Sequence, residues 1–140
     1  MNTVPYLTFP GTCEDALRLY TRVFGGDAAI MRFGEMPPNE GMPISDAWKN
    51  KIMHASLTLG REQMLYFSDV FEGGSVTPGD NVAVHIDMDA EADVQRLFYG
   101  LSEGATITMP VEKQFWGAVY GSLIDRYGIS WGFHFDLPRS

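Results

Sequence analysis

The chain has 140 residues, of which 45% are hydrophobic and 20% charged, and this composition is typical of one globular domain rather than of a disordered or fibrous protein. Ten Lys and Arg residues against 18 Asp and Glu residues give a net charge of −8, which disfavours nucleic acid and acidic membranes as partners because both are polyanionic. The single cysteine, Cys13, cannot form an internal disulfide, and the sequence shows neither a signal-peptide pattern nor an apolar run of about 18 residues. We therefore expect a cytoplasmic protein.

Two helices are predicted, each from an apolar stripe at helical spacing. The first covers about residues 13–24: Thr12 begins a capping pattern in which its hydroxyl would accept a backbone amide, and Gly25 and Gly26 stop the helix. Cys13 would lie in the first turn, where free amides lower the pKa of a thiol. The second helix covers about residues 90–102.

The two helices belong to an internal duplication. A shift of 78 residues superposes Ala16, Leu19, Tyr20, Val23 and Gly26 on Val94, Leu97, Phe98, Leu101 and Gly104. Strand-like segments precede and follow each helix in the same order, at 4–9, 27–33, 51–59 and 62–68, and then at 81–87, 105–109, 116–124 and 129–136. The sequence thus predicts an α+β fold of two tandem βαβββ modules within one domain, 1–140.

The predicted boundaries follow from Gly and Pro content. Module one covers residues 1–69 and module two covers 81–138, with a connection at 69–80. A second irregular segment, 34–50, exceeds the usual loop length, so we expect a lid or partner arm, with disorder as the alternative.

Alternation along the strands assigns side chains to faces. The apolar sets expected to pack under the helices are Met53, Ala55, Leu57 and Leu59; Val82, Val84 and Ile86; and Trp131, Phe133 and Phe135. The opposite faces, expected to line a cavity between curved sheets, then carry all three histidines, His54, His85 and His134. Asp87 falls on the same face as His85, and Asp136 on the same face as His134.

Several motifs, PYLTFPGTCEDALRLYTRVFGG, RFGEMP, KIMHASL and TMPVEKQFWGAVYGSLIDRYGISW, resemble the PhnB-like branch of the vicinal-oxygen-chelate superfamily, which includes glyoxalase I, extradiol dioxygenases and bleomycin resistance proteins. Members of this branch often carry the label 3-demethylubiquinone-9 3-methyltransferase domain. The resemblance covers about residues 5–131 and implies curved mixed sheets around a cavity and a homodimer.

The resemblance also gives the positions of the superfamily's metal ligands. They fall on Pro5, Asn81 and Gly132, with Met64 or Tyr66 as the fourth, and these residues lack suitable donor atoms. We therefore expect no metal at that site and no glyoxalase-type or dioxygenase-type activity. A relocated site built from the three histidines is the alternative.

No cofactor is predicted. Methyl transfer from S-adenosylmethionine finds no support, because the doubly wound sheet with a glycine-rich first turn is missing and the Gly25 pair follows a helix. The thiol of Cys13 has no base near it in sequence, so a reactive role is disfavoured.

The candidate site residues are those of an apolar and aromatic pocket. We expect ligand binding by His54, Phe115, Trp116, Tyr120 and Met36, with Met31 beside them, and name His54 with Glu35 or Glu112 as candidates for acid–base catalysis. Two functions follow: binding of a small organic molecule without metal, or a metal-independent enzyme that uses His54 with a nearby carboxylate. A pure oligomerisation module is a third possibility, disfavoured because three polar histidines face the expected cavity.

Overall fold

A computed structural model describes residues 1–37 and 43–138. The chain forms two compact units, Met1–Thr77 and Pro78–Ser140, and their boundary falls within the predicted 69–80 connection. None of the helices in the described ranges is both long enough and apolar enough to span a membrane.

Among the described residues, each unit contains four strands and one α-helix. In unit 1 these are β1 (Tyr6–Phe9), α1 (Cys13–Phe24), β2 (Asp27–Arg32), β3 (Ile52–Thr58) and β4 (Met64–Asp69), with short 3-10 turns at Phe33–Glu35 and Gly60–Glu62. In unit 2 they are β5 (Val84–Asp87), α2 (Glu91–Leu101), β6 (Thr106–Gln114), β7 (Ala118–Ile124) and β8 (Ser130–Asp136).

The two sheets have the same topology. Their strand orders are β1-β4-β3-β2 and β5-β8-β7-β6. In each sheet the first and last strands of the unit pair in parallel, and the other pairs are antiparallel. The predicted α+β class and the βαβββ order of both modules are confirmed.

The helices cover one face of each sheet. In unit 1 the buried core joins α1 to alternate residues of the strands, including Leu19, Tyr20, Ala55, Leu57 and Phe67. In unit 2 it joins α2 to the alternate residues of β7 and β8, including Val94, Leu101, Leu123, Trp131 and Phe133. The opposite sheet faces, which we call the open faces, carry the remaining alternate residues.

The start of α1 differs from the prediction. The buried carboxylate of Asp69, at the end of β4, accepts the amides of Gly11 and Cys13 through Oδ1 and that of Ile52 through Oδ2, each at 2.9 Å. Within the described chain, no side-chain capping bond comes from Thr12. The capping acceptor is thus a residue distant in sequence, which a local pattern cannot reveal.

Two predicted face assignments are wrong. The pairing of β2 with β3 shifts register so that Met31 lies opposite His54 while Arg32 lies opposite Ile52. This irregularity leaves Ile52 buried and Met53 only half-buried, the reverse of strict alternation. Val82 lies before β5 and is 78% exposed, because the strand begins only at Val84.

Strand β6 extends well beyond the predicted end at residue 109 and includes Pro110. It lies at the edge of its sheet, with register shifts on both sides of Met109, and edge strands tolerate a residue without an amide hydrogen.

The two ends of the predicted 34–50 segment are bonded to each other, and one of them is bonded to the residue that follows β4. Gly34 donates its amide to the Lys49 carbonyl, and Trp48 donates its indole N–H to the Val70 carbonyl. Its residues 38–42 lie outside the described residues, so the lid or partner arm stays a prediction.

Candidate functional site

The open face of unit 2 brings two histidines against one carboxylate. Asp87 lies opposite His134 in the parallel pairing of β5 with β8, and His85 lies two residues before Asp87 on the same face. Oδ1 of Asp87 accepts from Nε2 of His85 and from Nδ1 of His134, both at 2.9 Å. These hydrogen bonds, first that of His134 and then that of His85, hold the pKa of the Asp87 carboxyl below its ordinary value.

The second ring nitrogen of His134 also faces a carboxylate. Its Nε2 lies 3.2 Å from Oδ1 of Asp136, two residues further along β8. Each nitrogen of the His134 ring therefore has a carboxylate partner, which fixes the orientation of the ring. The imidazole of His85 is held differently, because it stacks on Tyr120 with ring centroids 6.2 Å apart and an angle of 19° between the planes.

Gly132 makes this packing possible. It lies opposite His85 in the β5–β8 register, and a Cβ atom at this position would stand 3.0 Å from the Tyr120 hydroxyl and 3.3 Å from Nδ1 of His85. The missing side chain thus leaves room for the Tyr120 and His85 rings above the strand.

An aromatic surface continues from the histidines to the β6–β7 turn. The Tyr120 ring lies 6.5 Å from that of His134 and 6.4 Å from that of Trp116, which in turn contacts Phe115 edge-on at 5.2 Å. Phe115 is 98% exposed and Trp116 is 51% exposed. Three of the predicted ligand-binding residues, Phe115, Trp116 and Tyr120, therefore form one continuous surface.

His54 occupies the open face of unit 1 and has aromatic neighbours. Its Nδ1 lies 2.9 Å from the Tyr6 hydroxyl, and its ring meets that of Tyr66 edge-on at 5.0 Å. Met31 is its cross-strand neighbour on β2. The hydrogen-bond partner seen here is therefore a phenol, whereas the enzyme hypothesis requires a carboxylate.

Of the other candidates, Glu35 and Met36 lie in unit 1 and Glu112 lies beside the aromatic surface of unit 2. Glu35 is exposed and accepts the Arg32 amide at 2.7 Å, which closes a 3-10 turn, and Met36 follows it half-buried. Glu112 pairs across strands with Tyr120 and is exposed.

The predicted lowering of the Cys13 thiol pKa is wrong. The residue is fully buried, and burial, followed by the charges of Asp69 and Glu14, raises the pKa of the thiol far above its ordinary value. Burial therefore outweighs the helix amides on which the predicted lowering depended.

The superfamily's metal positions do not fit a metal in this chain. Pro5 and Gly132 have no donor atom in their side chains, and Asn81 lies before β5 begins. Tyr66, on β4, is engaged with the rings of Tyr6 and His54.

The alternative metal site predicted from the three histidines differs from the cluster in the structure by one member. The structure brings His85 and His134 together, His54 belongs to the other unit, and Asp87 is the third member of the cluster. Strand alternation places Asp87 beside His85, but its contact with His134 depends on the register between β5 and β8, which the sequence does not reveal.

Comparison with solved structures defines the class of fold. A glyoxylase/bleomycin resistance protein/dioxygenase domain from Frankia sp. EAN1pec superposes with a TM-score of 0.68 at 14% identity, covering 100% of this chain and 94% of that one. The putative 3-demethylubiquinone-9 3-methyltransferase PhnB protein from Bacillus cereus gives a TM-score of 0.75 at 23% identity, covering 96% and 99% of the two chains. The chain therefore has the glyoxalase/bleomycin resistance fold.

Within this fold class, a family model places the chain in one family. The family model described as 3-demethylubiquinone-9 3-methyltransferase matches residues 1–133, and the chain belongs to this PhnB-like family. Protein PA1353 from Pseudomonas aeruginosa is 33% identical and superposes with a TM-score of 0.86, covering 99% of both chains.

Proposed function

We propose that this protein binds a small organic molecule on the open face of unit 2. The observation that supports the proposal is the aromatic surface of Phe115, Trp116 and Tyr120, which continues into the paired imidazoles of His85 and His134. Aromatic side chains combine a large apolar contact area with defined stacking geometry, and exposed clusters of them mark binding surfaces. A planar or conjugated ligand with a polar edge suits such a surface, because its ring can stack while its polar atoms meet the histidines.

We do not propose methyl transfer, the reaction in the description of the family. Gly25 ends α1 and its amide bonds to the Thr21 carbonyl, so the glycine pair serves as a helix stop rather than as a nucleotide-binding turn. A metal-independent enzyme centred on His54 stays an alternative hypothesis. The binding of a ligand by His54 and Met36 and the cytoplasmic location of the protein also stay predictions.

A metabolite screen by thermal shift, followed by a test on variants, checks the proposal. A ligand at 100 times its Kd adds about 2.7 kcal/mol to the free energy of unfolding, which is readily detected as a rise in Tm. Replacing Trp116 with Ala is expected to weaken binding at least about tenfold, equivalent to about 1.4 kcal/mol of lost stacking and contact area.

The matched control is Tyr99→Ala, which removes an exposed aromatic ring from helix α2 of the same unit. This variant should bind the ligand as the unchanged protein does. Equal losses in both variants, or none with Trp116→Ala, would show that the aromatic surface is not the binding surface.

A further inference from the structure

The cluster of His85, Asp87 and His134 has the composition and spacing of a metal site. One ring nitrogen of His85, one ring nitrogen of His134 and a carboxylate oxygen of Asp87 all lie within 4.8 Å of one another. Two atoms that each ligate an ion at about 2.1 Å stand about 3.0 to 3.4 Å apart in octahedral or tetrahedral geometry. The two distances of 2.9 Å from Asp87 Oδ1 to the imidazole nitrogens are close to that range.

A second, independent feature is the partner of the far side of His134. A histidine that ligates a metal generally donates its other ring N–H to a carboxylate or carbonyl, which fixes its tautomer and orientation. With Nδ1 directed at the ion, the Nε2–H of His134 would donate to Asp136, whose Oδ1 is already 3.2 Å away. The stacking of His85 on Tyr120 restrains the second imidazole in turn.

From this geometry we propose that unit 2 binds one divalent first-row transition-metal ion, such as Zn²⁺, through His85, Asp87 and His134, with Asp136 as the positioning residue. Two imidazoles and one carboxylate form a ligand set suited to Zn²⁺, Fe²⁺ or Ni²⁺ rather than to Mg²⁺ or Ca²⁺, which prefer oxygen ligands.

The site differs from the one that the superfamily resemblance gives. Its ligands are not the residues at the superfamily positions, and Gly132 among those positions serves only to leave space for the rings of His85 and Tyr120. His85 and Asp87 are exposed and His134 is half-buried, so coordination positions that the protein does not fill face solvent. Three protein ligands with open positions are typical of catalytic rather than structural metal sites.

The test is a Zn²⁺ titration by calorimetry of the untagged 140-residue chain after treatment with EDTA. We expect one equivalent of Zn²⁺ to bind, with no heat from Mg²⁺ at the same concentration. His85→Gln and His134→Gln should each abolish stoichiometric binding, and Asp136→Asn should weaken it about 10- to 100-fold.

His54→Gln is the matched control, because it removes the remaining histidine of the chain from the other unit. It should leave the affinity unchanged. Circular dichroism of each variant checks folding, and Co²⁺ bound to the unchanged protein gives a second readout through its visible absorption bands and through paramagnetic broadening of the His85 and His134 NMR signals.

The proposal is overturned if the unchanged protein binds less than one equivalent, if Mg²⁺ binds equally well, or if His54→Gln lowers the affinity as much as His134→Gln. The cluster would then be a hydrogen-bonded network only. Because no organic ligand is used, these outcomes are separate from those of the ligand test above.

Discussion

Cys13 shows how burial decides the chemistry of a single residue. The thiol lies at the start of α1, yet it is fully buried beside two carboxylates, and its pKa is raised. Since the thiolate is the reactive form, we expect a stoichiometric thiol reagent such as Ellman's reagent to leave the native protein unlabelled at pH 8. The same reagent should react with one equivalent of thiol once urea unfolds the chain. Rapid labelling of the native protein would contradict this assignment.

The candidate site was only partly predictable at the scale of residues. Alternation along the strands correctly placed His85, His134 and Asp87 on one face, because the period of a strand is fixed by its backbone. The contact between Asp87 and His134 was not predictable, since it depends on the register of two strands separated by more than 40 residues. Alternation also places Asp136 on the face of His134, but its approach to Nε2 of His134 was not predictable, because an exposed carboxylate at a strand end is common.

Helix α1 provides a test of capping at the scale of elements. Asp69 accepts three backbone amides, those of Gly11, Cys13 and Ile52, and so links α1, β3 and β4. Replacing Asp69 with Ala leaves these donors without that acceptor, and we expect the free energy of unfolding to fall by about 3 kcal/mol or more. Thr12→Ala should change it by only about 0.5 kcal/mol, as at an ordinary surface position.

Urea unfolding followed by circular dichroism measures both changes. If Thr12→Ala costs more than Asp69→Ala, then the local capping pattern, and not the distant carboxylate, determines where the helix begins. The comparison is sharp because both variants alter the same helix start.

The elements themselves were largely readable from the sequence, and the exceptions have physical causes. Helix α1 was predicted at residues 13–24 and is found at Cys13–Phe24, because its apolar stripe and its glycine stop are local signals. The length of strand β6 was underestimated. Proline usually ends a strand, yet an edge strand with register shifts accommodates Pro110. The face of Ile52 was misassigned because a register irregularity breaks the alternation.

At the scale of the whole molecule, one scaffold carries two different chemistries. The strand order is the same in both units, but a row across the open face of unit 1 reads Tyr6, Tyr66, Ser56 and Ala29. A row across the open face of unit 2 reads Asp87, His134, Tyr120 and Glu112. The duplicated apolar stripes preserve the fold, while the open faces are free to diverge because they do not form the cores. On the unit 2 face the imidazoles of His85 and His134 thus meet the carboxylate of Asp87, whereas His54 on the unit 1 face has the phenol of Tyr6 as its hydrogen-bond partner.

The exposed apolar residues of the chain lead to the last prediction, a homodimer. Tyr6 and Met31 are large apolar side chains left exposed on the open face of unit 1. Exposed patches of this kind are usually covered by a partner, and a stable pair of identical chains is expected to bury about 1,500 Å² or more. Sedimentation velocity at micromolar concentration should therefore give twice the chain mass of 15.6 kDa. A single species at the monomer mass, unchanged as the concentration is raised, would show that these side chains remain in contact with solvent.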